Sequence, residues 1–226
     1  LAGKLKAMYI IGYDPAATQA NINHVRSAMK NLELLVVQEL FMTETAKLAH
    51  VVLPAGCFFE KDGTFTNAER RVRRLNQAIP LPKGTKHDWE IICLIANAMG
   101  YPMHYNHPGE IMVEIASLTP EFAGIDFKRL EGDGLVWPVW DKKHPGTPIL
   151  HKDTVTRGKG RFNDLLYTPS EELPDDSYPL CLTTGRRLYH YNNGSMSLRN
   201  PEIYSISSEE FVEIHPGEAE ILGVKT

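Results

Sequence analysis

The amino-acid sequence predicts an α/β protein with a parallel-sheet domain followed by the start of a β-rich domain. Near the start of the chain, apolar runs of strand length alternate with helical stretches, and turn-forming Gly, Asp or Pro residues lie at their ends. Such alternation favours a parallel sheet with right-handed crossovers. The composition changes near Gly158, after which strand-like runs dominate. We therefore predict two domains, residues 1–157 and residues 158–226.

Continuous apolar runs supply the predicted strands of the sheet, because turn residues or polar residues bound each of them. These strands are residues 5–11, 32–37 and 51–53. Between them, residues 18–30 carry apolar side chains at helical spacing, and residues 43–49 form a short predicted helix. Thr43 suits the N-cap of that helix, because its hydroxyl can accept from a backbone N–H of the first turn.

The remaining elements are more widely spaced along the chain. Asp62-Gly63 predicts a turn, and residues 89–99 and 109–118 are predicted helices, the first with Asp88 as its N-cap. We interpret the rest of residues 101–148 as a linking excursion without its own core. The elements predicted for the second domain are strands at residues 160–167, 179–184 and 210–214, and a helix at residues 216–222.

Composition and charge exclude several classes of protein. The 226 residues contain 24 Lys and Arg against 28 Asp and Glu, which gives no basic excess for binding nucleic acid or an anionic membrane. No apolar run is long enough to span a bilayer. The three cysteines and nine histidines are scattered without metal-ligand spacing, and the cysteines fit buried thiols in a reducing compartment. Because the chain begins without Met, we expect it to be a piece of a longer polypeptide.

Polar residues follow the predicted strands at the edge where parallel sheets bind ligands. Gly12 and Asp14 follow the first strand, and Gln38 and Glu39 follow the second. An acid or amide at this point suits a ribose or a base, although the same residues also occur as simple polar strand ends. The Gly-rich fingerprint of nicotinamide-dinucleotide sites is absent.

A second candidate site lies in residues 182–200. Two threonines, Gly185, Arg186 and Arg187 precede an aromatic and Asn-rich loop. Glycine permits close approach of backbone N–H groups, and guanidinium groups match phosphate oxygens, so this segment suits an anionic cofactor that carries a ring. The alternative is an ordinary surface loop. A basic run at residues 69–74 also has two interpretations, as a solvated face or as a surface that faces phosphates or a neighbouring anionic surface.

Several ordered motifs resemble those of a known family. They are VVQELFMTETA at residues 36–46, VVLPA at 51–55, EKDGTFTN at 60–67, RRV at 70–72, DWEI at 88–91, GYPMHY at 100–105, HPGT at 144–147, TGR at 184–186 and HY at 190–191. Together they resemble the catalytic subunit of molybdenum- or tungsten-dependent formate dehydrogenases, in the dimethyl-sulfoxide-reductase superfamily. The resemblance spans nearly the whole chain and corresponds to the later half of that subunit.

The resemblance implies a Rossmann-like sheet domain and a partial double-psi β-barrel that together hold a bis(molybdopterin guanine dinucleotide) cofactor with molybdenum or tungsten. The positions that match the family's cofactor-binding motifs are Asp14, Thr18, Gln38 and Asp88 for guanosine, and Thr184, Gly185, Arg186 and His190 for pyrophosphate and pterin. Gly12 and Glu39 join this set because they flank the same strand ends. A carboxylate can accept two N–H donors from a guanine edge together, which suits the acidic positions.

The resemblance also implies limits. The metal ligand, the catalytic residues and the cysteines of an iron–sulfur cluster belong to the family's earlier half, so no catalytic or metal-ligating residue is assigned here and the chain alone is expected not to oxidise formate. Formate and electron-transfer subunits are the expected partners, without nucleic acid or membrane insertion. The expected compartment is cytoplasmic, or periplasmic if a twin-arginine signal lies upstream. The alternatives are a nitrate reductase-like enzyme, a non-catalytic scaffold of the same fold, and a purine-nucleotide binding module.

Overall fold

A computed structural model describes residues 3–155 and 157–225 of the chain. These residues form two compact units, the first ending at Tyr167 and the second beginning at Thr168. The domain division drawn from the sequence, at residue 158, stays a prediction.

The first unit begins with a parallel sheet of three strands in the order β1 (Ala7–Ile11), β2 (Leu34–Glu39) and β3 (Val51–Pro54). β2 is central: Tyr9 pairs with Val36, which pairs in turn with Val51. The predicted parallel α/β arrangement is therefore confirmed for this part of the chain.

Two helices connect β1 to β2, where the sequence predicted one. α1 (Pro15–Thr18) ends before Asn21, and α2 (Ile22–Lys30) begins after it. Asn21 has a φ of 51° and its side chain accepts from the backbone N–H of His24 at 3.2 Å. Asn tolerates this left-handed conformation and caps the new helix, which explains the break.

One face of the sheet is packed, and the other is largely open except at the buried Gln38. Leu35 and Val37 are fully buried against α1, α2 and the 3₁₀ turn Ala46–Leu48. Tyr9, Ile11 and Leu34 alternate with the buried positions and remain exposed. This period of two is the strand pattern expected from alternating side-chain directions.

A second sheet has its own core, contrary to the predicted linking excursion. The antiparallel strands β4 (Gly63–Thr66) and β5 (Arg71–Leu75) pair, and β6 (Leu135–Val136) adds to β5. The buried residues of this core are Val72, Met112, Ile125, Leu130 and Val139. The excursion interpretation is wrong because the apolar residues of this segment pack with one another and with Val72 of β5.

The long helices α3 (Asp88–Ala98) and α4 (Pro108–Leu118) lie close to their predicted positions. The N-cap of α3 is His87, so the prediction of Asp88 as N-cap is wrong. Asp88 is the first helical residue, and its carboxylate bonds instead to side chains of other elements. Gly100 follows α3 with a φ of 86°, as expected of a helix stop.

The second unit contains α5 (Pro201–Ile206), α6 (Pro216–Leu222) and a 3₁₀ turn at Ser197–Arg199. The predicted helix at residues 216–222 is confirmed. No strand occurs between residue 157 and residue 225, so the predicted strands at 160–167, 179–184 and 210–214 are wrong for this structure. A strand is stable only with a partner that satisfies its backbone groups, and these runs do not pair with one another.

Two findings concern the membrane span and the buried thiols considered from the sequence. In residues 3–155 and 157–225, no helix combines the length and apolar character needed to cross a bilayer. Cys93 is buried, and this burial raises the pKa of its thiol, with the Glu90 carboxylate adding to the effect. Cys57 is half-buried and Cys181 is exposed, so the expectation of buried thiols holds only for Cys93.

Candidate functional site

The carboxyl edge of the parallel sheet brings several predicted residues together. Gly12 has a φ of 59°, and its N–H donates to the carbonyl of Gln38 at 2.9 Å. Left-handed backbone at this point favours glycine. The loop after β1 is thereby fixed beside the end of β2.

Asp14 has a structural task within this edge. It is 7% exposed, and its Oδ1 accepts from the backbone N–H of Thr45 at 2.8 Å and from the Thr45 hydroxyl at 2.7 Å. Thr45 Oγ1 in turn accepts from the backbone N–H of Ala16 at 3.0 Å. The Thr18 hydroxyl donates to the Asp14 carbonyl at 3.1 Å. Asp14 therefore ties the start of α1 to the segment after β2.

Gln38 and Asp88 meet directly, although they are 50 residues apart in sequence. Gln38 is 1% exposed, and its Nε2 donates to Asp88 Oδ1 at 2.6 Å. The Tyr9 hydroxyl donates to Gln38 Oε1, and the Lys61 ammonium donates to Asp88 Oδ2. We call Tyr9, Gln38, Asp88 and Lys61 the polar chain.

The acceptor-only carboxylate fixes the orientation of the Gln38 amide. Asp88 accepts but does not donate when ionised, so the NH₂ group of Gln38 must face it and the carbonyl oxygen must face Tyr9. Partial burial raises the pKa of the Tyr9 phenol, and the negative charge of Asp88 raises it further. Tyr9 therefore stays a neutral donor across the physiological range.

Glu39, the remaining predicted residue of this edge, does not join the polar chain. Its Oε1 accepts from the backbone N–H of Leu40 at 2.8 Å, and its carbonyl accepts from Ala55 at 3.3 Å. Lys61, Tyr9 and Thr45 were missed by the sequence reasoning. Each lies 27 or more residues from its partner, so no local pattern pointed to these contacts.

The basic run at residues 69–74 binds the chain itself. Arg70 donates to the carbonyls of Trp137, Thr147 and Pro148, and Arg74 lies 3.8 Å from the centre of the Phe127 ring. Arg71 donates to the carbonyl of Asp133 at 3.4 Å. These contacts fasten β5 to the second core and favour neither the solvated face nor the phosphate-binding surface.

The second unit contains a cavity of about 460 Å³. All four residues predicted for this unit line it, and they are Thr184, Gly185, Arg186 and His190. Arg187, Asn192 and Asn193 also line it, with one carboxylate, Glu210. The lining thus combines two guanidinium groups with amide donors, which suits a ligand with phosphate oxygens.

The two arginines of this cavity differ in their contacts. Arg187 donates to the Ser207 hydroxyl and lies 5.4 Å from the centre of the Phe211 ring. Arg186 lies over the Tyr191 ring at 5.9 Å and has no carboxylate partner in the described part of the chain. Arg186 is therefore the guanidinium whose donors are open to a ligand.

His190 is held by both ring nitrogens. Nε2 lies 2.6 Å from the carbonyl oxygen of Ser207, and Nδ1 lies 3.0 Å from the Ser197 hydroxyl. Because a carbonyl only accepts, Nε2 carries the proton and Nδ1 accepts from Ser197 in the neutral ring. His190 shapes the cavity wall and leaves no free nitrogen for a ligand in this state.

The chain's His, Cys, Asp and Glu side chains are dispersed over the residues that the structure describes. No group of three or more His, Cys, Asp or Glu side chains is placed to hold a metal ion there.

Comparison with known proteins identifies relatives for this arrangement. Residues 1–98, which include every predicted site residue of the first unit, match the family model described as molybdopterin oxidoreductase. The resemblance found in the sequence is confirmed. The chain is 46% identical, over 98% of its length, to F420-dependent formate dehydrogenase 2 subunit alpha of Methanococcus maripaludis. It is 44% identical, again over 98% of its length, to the F420-dependent formate dehydrogenase subunit alpha of Methanocaldococcus jannaschii.

The chain spans about a third of the length of these relatives, 33% of each. A solved structure of acetylene hydratase from Pelobacter acetylenicus matches with a TM-score of 0.68, covering 98% of this chain and 32% of that one. At 20% identity this match shows a common fold.

Proposed function

We propose that the chain is the cofactor-binding part of a formate dehydrogenase alpha subunit, which oxidises formate to carbon dioxide. The observation that carries this proposal is the 46% identity over 98% of the chain to a protein of that name. The proposed cofactor is bis(molybdopterin guanine dinucleotide) with molybdenum or tungsten, which would supply the metal centre for formate oxidation. An iron–sulfur cluster and electron-transfer subunits complete the proposal for the whole protein.

The polar chain of the first unit fits the guanosine part of this cofactor. Asp88 uses one lone pair for Gln38 and one for Lys61, and a carboxylate has about four lone-pair sites, so two remain for N–H donors. Guanine presents two such donors on one edge. Asp14 fits less directly because its Oδ1 already serves Thr45 twice, so we assign it to holding the loop that borders the base.

The cavity of the second unit fits a diphosphate. Gly185 lets the backbone approach closely, and Arg186 offers unpaired donors. We propose that residues 158–226 are the beginning of a double-psi β-barrel domain. Support comes from the apolar side chains of Leu165, Leu182 and Val212, each at least 80% exposed here, which a completed sheet would bury.

Isothermal titration calorimetry of the purified 226-residue chain tests the nucleotide assignment. We expect GDP to bind at least tenfold more tightly than ADP, and Asp88→Asn to lose at least tenfold in GDP affinity, because the new NH₂ group faces the donors of guanine. Asp153→Asn, an exposed change of the same type, is the matched control and should bind as the wild type does.

A formate-oxidation assay with a redox dye accompanies the titration. We expect no turnover from the chain alone, because the family resemblance assigns the metal ligand and the cluster cysteines to a part of the subunit outside these residues. Equal binding of GDP and ADP, or an unchanged affinity in Asp88→Asn, would contradict the nucleotide assignment. Metal-dependent formate oxidation by the chain alone would contradict the assignment of the catalytic residues to another part of the subunit.

A further inference from the structure

Lys61 lies in the EKDGTFTN motif, but the sequence assigned it no role, and in the fold it joins the polar chain. It follows the 3₁₀ turn Phe58–Glu60 and precedes β4, and its extended backbone directs the side chain toward the start of α3. In the described part of the chain, Asp88 is the partner of its ammonium group. The two side chains are 27% and 32% exposed, so the pair is shielded more than an ordinary surface ion pair.

The geometry of Asp88 depends on two neighbours of unequal rigidity. Gln38 is almost fully buried and is held at its other end by Tyr9, so it fixes Oδ1. Without a second contact, the carboxylate would be free to rotate about its one hydrogen bond, from Gln38 to Oδ1. Lys61 supplies the second contact, at Oδ2. With both oxygens engaged, the plane of the carboxylate is set and one lone pair on each oxygen is left open.

We propose that Lys61 is the positioning residue that gives this carboxylate its two-point selectivity for a guanine edge. The proposal rests on the proposed function, in which Asp88 accepts from the base. Two open lone pairs on a fixed plane match the N1–H and N2–H donors of guanine. Inosine lacks the N2 amine and offers one donor, while adenine offers a donor beside an acceptor that the carboxylate repels. A carboxylate without Lys61 rotates and meets one donor at a time.

The test compares 5′-GMP, 5′-IMP and 5′-AMP as probes by calorimetry on the full 226-residue chain. We expect the wild type to bind GMP about tenfold more tightly than IMP, since each good charge-assisted hydrogen bond contributes on this scale. Lys61→Met should lose about tenfold in GMP affinity and bring the GMP-to-IMP ratio close to one. Lys61→Arg should keep most of the ratio, because its guanidinium still donates to Asp88.

Controls separate positioning from folding. Lys47→Met makes the same change at a more exposed ion pair, between Lys47 and the half-buried Glu44, and should leave the ratio unchanged. Circular dichroism and thermal unfolding check that each variant is folded, and Lys61→Leu, which also lacks a donor, replaces Lys61→Met if the latter does not fold.

Each outcome of the titrations supports or overturns the role proposed for Lys61. An unchanged GMP-to-IMP ratio in Lys61→Met would overturn the inference, and so would tighter GMP binding by that variant, which would make Lys61 a competitor of the base. If the unmutated chain binds AMP as well as GMP, the proposed guanosine site itself fails, and the inference fails with it. That result is read on the wild type and is therefore distinct from a result confined to the variants.

Discussion

Replacing Thr45 with valine should destabilise the loop that borders the proposed base site. Valine has nearly the shape of threonine but lacks the hydroxyl, which donates to Asp14 at 2.7 Å and accepts from the backbone of Ala16 at 3.0 Å. A hydrogen bond to a buried charge contributes about 1.5–3 kcal/mol, and one between neutral groups contributes about 1 kcal/mol. Thr45 is fully buried, so water cannot replace either bond. We expect Thr45→Val to lower the free energy of unfolding by about 2–4 kcal/mol.

Urea unfolding followed by circular dichroism measures this loss. Thr45→Ser is the matched control, because it keeps the hydroxyl and removes only a methyl group, and it should lose about 1 kcal/mol. A loss below about 0.5 kcal/mol in Thr45→Val, or an equal loss in both variants, would refute the claim that the hydroxyl holds Asp14 in place.

Three further predictions concern the core and the titrating groups. Leu35→Ala, at a fully buried position, should lower the free energy of unfolding in urea by about 2–5 kcal/mol. Leu5→Ala, at an exposed position, should change it by no more than about 0.5 kcal/mol, and equal losses in the two variants would contradict the assigned core. Burial, and then Asp88, raises the pKa of Tyr9, so its contribution to stability is complete below pH ~10 and is lost as pH rises through the folded-state pKa. The free energy of unfolding, measured from pH 8 to pH 12, should therefore decline more steeply in the wild type than in Tyr9→Phe. Parallel declines in the two proteins would contradict this role of Tyr9. The hydrogen bond from Lys142 lowers the pKa of Asp126. Because Lys142 is exposed, Lys142→Met should lose under about 1 kcal/mol at neutral pH, and this loss should shrink as the pH falls below the ordinary carboxyl pKa of ~4. A loss that is equal at pH ~7 and pH ~2 would contradict the pairing.

The parallel sheet could be predicted from the sequence because its information is local. Each strand is one continuous apolar run with turn residues at its ends, and the run from Leu34 to Val37 contains the fully buried Leu35 and Val37. The predicted helix at residues 18–30 ran through the break between α1 and α2, because the left-handed Asn21 that causes the break has no signal of its own in the sequence. The second core was missed because Val72 and Val139 come together only through long-range pairing.

The position of the candidate site was predictable from the sequence, but its side-chain hydrogen bonds were not. Strand ends in a parallel sheet mark the ligand edge, so Gln38 could be chosen from its place alone. Its bond to Asp88 depends on the docking of α3, and the role of Lys61 depends on the hairpin that follows β3. The apolar runs of the second unit were predicted as strands because their residue types favour strands, but propensity does not supply the pairing partner that a strand requires.

The central claim is that the polar chain at the sheet edge binds a guanine base specifically. Two-dimensional ¹H–¹⁵N NMR of the chain during titration with GMP tests it most directly, since the Gln38 side-chain amide and the Asp88 backbone amide lie within the proposed contact. We expect GMP to shift both signals in a saturable manner, and AMP to leave them unchanged at the same concentrations. Equal shifts with both nucleotides, or GMP shifts confined to signals outside the polar chain, would contradict the claim.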